Sequence, residues 1–113
     1  MEKKKIIVIV DNDIIEIDKK ILTVLLNKYI PEIVATIVPH DCISDHLHEE
    51  YFYVHHVKIG IENDQLNKII KNLENNGKKF IGSTLIPIIL MPKNIFYFKN
   101  YDDLSEKIKV FLS

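Results

Sequence analysis

Behind a charged lead at residues 2–5, residues 6–10 read IIVIV, an unbroken run of β-branched side chains. A strand with no polar alternation is covered on both faces, so this run is expected at the centre of a sheet. It stops at Asp11, Asn12 and Asp13. Asp13 and Glu16 have the spacing of a capping box, with Asp in place of Ser or Thr. Behind them Ile14, Ile17, Ile21 and Leu25 recur at helical spacing, predicting a first helix to about Tyr29 that Pro31 closes. Residues 32–38 form a second β-branched run ended by Pro39. Residues 40–50 are polar and histidine-rich, read as a short helix or a loop. Residues 51–59 have the aromatic and β-branched character of a strand and carry His55 and His56. The clearest helix follows from Glu62 or Asn63, with Leu66, Ile69, Ile70 and Leu73 on one face and Gly77 as its stop. Residues 79–84 are a short strand. Residues 85–94 are apolar, interrupted by Pro87 and closed by a turn at Pro92, Lys93 and Asn94. Residues 95–99 read as the last strand, and Asp102 and Asp103 open a final helix with Leu104, Ile108 and Phe111 on its apolar face.

Alternating strands and helices of this kind favour right-handed βαβ units around a parallel sheet. The expected fold class is therefore α/β: a small, doubly wound, mostly parallel sheet of five strands in a single domain spanning residues 1–113, with its fourth helix shortened. In open sheets of this type ligands gather beyond the carboxyl ends of the strands. That rule selects Asp11 and Asp13, then His55 and His56, then Ser83 and Thr84, then Lys99.

Composition narrows the function classes. The chain has 113 residues, 47% hydrophobic and 27% charged, with three glycines and four prolines, which is the profile of one packed core and excludes disorder. Fifteen basic residues against sixteen acids leave a formal charge of −1, so nothing drives the chain toward nucleic acid or an anionic membrane. All the basic residues are Lys, so any anion site lacks the bidentate arginine fork. Cys42 stands alone and forms no internal disulfide. Neither the five-residue run at 6–10 nor residues 85–91, which contain Pro87, has the length of a signal peptide or a membrane span, so a cytoplasmic location is expected.

Two carboxylates leaving a central strand can share a divalent cation, which relieves their mutual repulsion; Asp13 can equally cap the first helix, with Asp11 in solvent. Acid, hydroxyl and lysine around one point also suit phosphoryl chemistry or a small anionic ligand. All five histidines, His40, His46, His48, His55 and His56, fall within residues 40–56, with Cys42 and Asp45 among them. The most convergent metal site built from these residues is Asp11, Asp13 and His55, at one sheet edge. Cys42 is expected to be an inert thiol, and Gly82, Ser83 and Thr84 lack the glycine spacing of a phosphate loop. Aromatic triplets at 51–53 and 96–98 are expected to be partly buried by strand alternation rather than to form base-stacking platforms.

The stretches IVDNDIIEIDKKILTVLLNKY and YFKNYDDLSEKIKVFL resemble the acid-pair strand with its first helix, and the lysine-bearing last strand with its helix, of response-regulator receiver domains. The resemblance runs along most of the chain and implies a flavodoxin-like fold. It matches Asp11 and Asp13 to the family's acid pair, Thr84 to its strand-end hydroxyl and Lys99 to its lysine, around a magnesium ion. The third strand, where the family carries a phosphoacceptor aspartate, ends instead at His55 and His56, and Asn100 stands where a proline usually follows the lysine. The resemblance thus implies a non-catalytic signalling and protein-interaction module, binding a protein partner or a second copy through its last strand and helix.

A second topology uses the same residues. If residues 32–38 and 51–61 paired as an antiparallel hairpin, the chain would be an α+β, ferredoxin-like βαββαβ sandwich. VKIGIENDQLNKIIKNLENNG followed by GSTLIPIILMP is then similar to the second half of PII-like or CutA-like proteins, which implies a trimeric sensor of small ligands. A metal-dependent enzyme using Asp11, Asp13 and a strand histidine is the third expectation.

Overall fold

A computed structural model describes residues 3–56, 63–84 and 94–113. In chain order it contains β1 (Lys4–Val10), α1 (Glu16–Tyr29), β2 (Ile33–Pro39), a 3-10 helix (His40–His46), β3 (Tyr51–His56), α2 (Asn63–Asn75), β4 (Lys79–Thr84), β5 (Ile95–Tyr97) and α3 (Tyr101–Leu112). The strands form one sheet in the order β2-β1-β3-β4-β5, and every neighbouring pair is parallel. This is the flavodoxin-like doubly wound order, whose ligand crevice lies between β1 and β3, where the order reverses.

The IIVIV run occupies the central region its sequence calls for. Ile6, Ile7, Val8 and Ile9 are wholly buried, because successive side chains enter different cores. Ile6, Val8 and Val10 join Tyr53 beneath Leu22 and Leu26 of α1 and Leu104 and Ile108 of α3. Ile7 and Ile9 join Phe52, Val54 and Phe80 beneath Leu66, Ile69, Ile70 and Leu73 of α2 and Ile43 of the 3-10 helix. Each face is therefore closed by helices, the condition under which an all-parallel sheet is stable.

The hairpin topology is corrected. β2 and β3 run in the same direction on opposite sides of β1, with Lys4 opposite Ile33 on one side and Ile6 opposite Tyr51 on the other. The apolar run of β1 takes the place between them, so the antiparallel pairing on which the ferredoxin-like reading rests does not form. Residues 57–61 of that proposed hairpin, and the shortened fourth helix expected within 85–94, lie outside the described residues apart from Asn94.

The start and face of α1 are corrected too. The helix begins at Glu16, with Ile15 as an N-cap that offers no side-chain hydrogen bond. Asp13 instead donates its backbone N–H to Asp11 Oδ1 at 3.3 Å, an aspartate turn that competes with a capping box. Helix α1 buries Leu22 and Leu26, while Ile17 and Ile21 stand 61% and 51% exposed. The chain carries two apolar stripes. The 22/26 stripe continues into buried Ile30 and Ile33, whereas the 17/21/24 stripe runs into exposed Lys28, so the first offers the longer burial.

The other ends follow familiar local chemistry. Gly77 takes a φ of 67° just beyond α2, the left-handed geometry that glycine accepts without strain. Helix α3 is capped by Asn100, whose side-chain oxygen accepts the Asp103 N–H at 2.8 Å. Among the described residues no helix is long and apolar enough to cross a membrane.

Candidate functional site

The carboxyl edge of the sheet gathers the residues that strand endings selected. Asp11 and Asp13 follow β1, His55 and His56 end β3, and Ser83 and Thr84 end β4 directly opposite them in register. Lys99 lies two residues beyond β5 and is exposed. Its approach to the edge is set by the Phe98 N–H, which donates to the Thr84 carbonyl at 2.8 Å and carries the β4–β5 ladder one step past β5.

The polar centre of this edge is a tyrosine rather than an acid. The Tyr53 hydroxyl lies 2.5 Å from Ser83 Oγ and 2.5 Å from His55 Nδ1. Strand alternation explains the meeting: Tyr53 and His55 are two apart on β3 and share a face, and Ser83 sits opposite His55 on β4. Each link uses one hydrogen. Either Ser83 donates to Tyr53 and Tyr53 to His55, or His55 donates to Tyr53 and Tyr53 to Ser83. All three residues are buried, Tyr53 and Ser83 completely. Burial pushes the Tyr53 phenol well above its ordinary range, against the opposing pull of the Ser83 hydrogen bond.

Aromatic rings extend the network outward over α3. The His55 ring meets Phe98 edge-on at 5.8 Å, Phe98 meets Tyr101 at 5.2 Å, and Tyr101 stacks on Tyr29 at 5.7 Å. These contacts roof the imidazole with apolar surface and hold it off water. Burial raises the Tyr101 phenol as well.

On the other side of the edge, the loop after β1 is latched to the 3-10 helix. Asn12 Nδ2 donates to Asp41 Oδ2, and Asn12 Oδ1 accepts the Asp41 backbone N–H at 3.2 Å. His40 Nδ1 lies 3.3 Å from Asp41 Oδ1. The latch ties the β1–α1 loop across to the connection between β2 and β3, beside the point where the strand order reverses.

The three-residue metal site of Asp11, Asp13 and His55 does not assemble. Among the described residues no group of three or more His, Cys, Asp or Glu side chains is placed to hold a metal ion. His55 faces the core beneath α1 and α3, with Nδ1 committed to Tyr53, and Asp11 receives the Asp13 N–H. The side chain of His56 lies outside the described residues. Thr84 is fully buried, and Lys99 joins no ion pair among the described residues. Cys42 is a free thiol packed against the α2-side core.

Tyr53, Asn12 and Asp41 carry this edge, although none was selected as a strand-end site residue. The i, i+2 relation of Tyr53 to His55 is a readable signal on a strand. The Asn12–Asp41 latch has none, because it joins residues 29 apart in the chain through loop geometry alone. Compared with known proteins, no protein-family model matches the chain, and no match is found among curated proteins.

Proposed function

We propose that the chain is a non-catalytic, receiver-like signalling module of the cytoplasm that acts by binding a protein partner through its last strand and helix. The observation that carries this reading is the closed state of the strand-end chemistry. β3 ends in histidines, and the imidazole of His55, the hydroxyl of Ser83 and the phenol of Tyr53 satisfy one another inside the protein. A phosphoacceptor needs a carboxylate open to its donor, and a nucleophilic serine needs both a base within reach and access to substrate. Ser83 meets Tyr53 before any base and is fully buried.

The surface beside α3 supports the binding half of the proposal. A groove of about 540 Å³ runs between that helix and the outer strands β4 and β5, in the size range of ligand-binding clefts. The balanced net charge and absence of arginine favour a protein partner over nucleic acid.

Phosphorylation by acetyl phosphate with magnesium tests the non-catalytic half. Intact-mass spectrometry is expected to show no gain of a phosphoryl group, and amide spectra no change at Asp11, Asp13 or Lys99. A covalent phosphoryl adduct would overturn the reading.

A further inference from the structure

Helix α1 turns an apolar seam toward solvent. Ile17, Ile21 and Val24 are 61%, 51% and 65% exposed, while Leu22 and Leu26 are buried on the opposite side of the helix. The three exposed residues are spaced four and three apart, which lines them up along one face, the pattern of helices that pair with other helices. Lys28, four residues further on, continues the line and is exposed. Glu16, Lys20 and Asn27 are exposed along one border of the seam. Single exposed apolar residues are ordinary, whereas a continuous line of them rimmed by polar groups marks a contact surface.

The charges along α1 are sorted by end. Asp13, just before the helix, and Glu16, its first residue, are exposed at the start, and Lys28 is exposed at the finish. Glu16 reaches Lys19 at 3.2 Å. Lys28 lies 5.6 Å over the Tyr29 ring and forms no ion pair among the described residues. From start to finish the seam therefore runs acidic, apolar, basic. Such a seam is complementary to its own reverse. Run antiparallel, two copies set acids against lysine at both ends and apolar surface against itself in the middle, and their helix dipoles oppose as well. Run parallel, like charges meet at each end. A formal net charge of −1 leaves two copies little mutual repulsion to overcome.

We infer that the occupant of this seam is a second copy of the chain, and that two copies pair through α1, antiparallel about a two-fold axis near Ile21, as a closed dimer. With the axis there, Ile21 meets Ile21 of the second copy, Ile17 meets Val24 of the second copy, and Lys28 reaches toward the other helix start, with its Asp13 and Glu16. A uniformly acidic or basic partner helix satisfies one end of the seam and is repelled by the other, whereas a second copy satisfies both. One helix pair is a small interface, so the association is weak, with a Kd between about 10 µM and about 1 mM. The dimer goes beyond the reading above, which places a partner on the last strand and helix; each dimer carries two of those surfaces.

Sedimentation velocity of the full chain at low salt, from about 10 µM to about 2 mM, is expected to show a monomer–dimer equilibrium. Amide spectra over the same range are expected to move with concentration at residues 17–24. Ile21→Lys and, as a second variant, Val24→Lys are each expected to weaken the dimer at least about tenfold while keeping the amide spectrum of the folded monomer. Charge reversal tests the direction of pairing. Lys28→Glu in one chain, and Asp13→Lys with Glu16→Lys in another, are each expected to weaken self-association several-fold, whereas mixing the two chains restores it, because antiparallel pairing then sets opposite charges at both ends. A chain that stays monomeric throughout, whether the seam is bare or covered by another part of the same chain, would overturn the inference. So would a dimer indifferent to both Ile21→Lys and Val24→Lys, association that continues past two copies, or a mixture no tighter than its separate variants. None of these outcomes depends on acetyl phosphate labelling or on α3, so the dimer and the function proposed above can fail separately.

Discussion

Tyr53 and Ser83, thirty residues apart in the chain, meet hydroxyl to hydroxyl at 2.5 Å inside the sheet. The contact joins β3 to β4 at their carboxyl ends, and Tyr53 passes it on to His55. Removing the phenol oxygen leaves two buried polar groups without this partner, whereas removing the serine oxygen leaves Tyr53 its bond to His55. Tyr53→Phe is therefore expected to cost about 1–3 kcal/mol and Ser83→Ala less, with the double variant costing less than the sum of the two. Urea denaturation of the three variants measures this. Additive losses would mean that the hydroxyls act independently.

The same phenol sets a limit in alkali. Burial raises the folded-state value of Tyr53 above its unfolded one, so between the two the native state holds a proton that the unfolded chain has lost. Stability from this group is present in full below the unfolded value near pH ~10 and falls as pH rises above it. Tyr101, raised in the same direction, adds to the slope. Thermal denaturation from pH 9 to 11 is expected to show a declining midpoint for the natural chain and a shallower decline for Tyr53→Phe. An identical slope in both would remove Tyr53 as its source.

Helix α1 offers a test of which stripe carries the fold. Leu26 is wholly buried, and Leu26→Ala is expected to cost about 2–5 kcal/mol by opening a cavity among Val8, Ile30 and Ile108. Ile17 and Ile21 are more than half exposed, and changing both to Lys is expected to move stability by less than about 1 kcal/mol. Chemical denaturation compares them directly. A large loss from the Ile17/Ile21 pair would place that stripe in the core.

These contrasts show which signals in the chain were legible. The residue 6–10 run declared a strand covered on both faces because it lacks polar alternation, and the 66/69/70/73 stripe declared α2 because its other positions are polar. Helix α1 was ambiguous for the opposite reason: Ile14, Ile15, Ile17, Ile21, Leu22, Val24, Leu25 and Leu26 leave no single apolar face, so tertiary context decides. The parallel order of β2 and β3 was readable only by weighing two topologies, since a 3-10 helix connects them where a longer helix would have removed the hairpin option. At the candidate site, strand endings placed Asp11, His55, Thr84 and Lys99 at one edge. Which side chains turn inward depended on Tyr53, whose hydroxyl supplies a polar partner within an otherwise apolar layer.

Asn100 is the cap at the start of α3. Its side-chain oxygen accepts the Asp103 N–H at 2.8 Å, one of the amides that a helix start leaves without an intrahelical partner. Asn100→Ala is expected to cost about 1 kcal/mol, and Asn100→Asp to retain most of the stability because a carboxylate also accepts there. Helix-specific amide exchange at residues 101–104 reads the effect locally. Unchanged protection in Asn100→Ala would show that the first turn of α3 is held by packing alone.

Gly82 is the point where β4 admits β5. A methyl group built on it would collide with Ile95 Cδ1 and press on the Val54 carbonyl oxygen at 3.2 Å, and Gly82 itself donates its N–H to Asn94 at 2.9 Å. Ile95 is buried in the core shared with Phe80 and Val54, so it has little room to swing away. Gly82→Ala is therefore expected to destabilise the protein by about 1–3 kcal/mol through overpacking. Pairing it with Ile95→Val, which removes the colliding methyl, is expected to recover part of that loss. Full stability in Gly82→Ala alone would show that β5 can shift outward without cost.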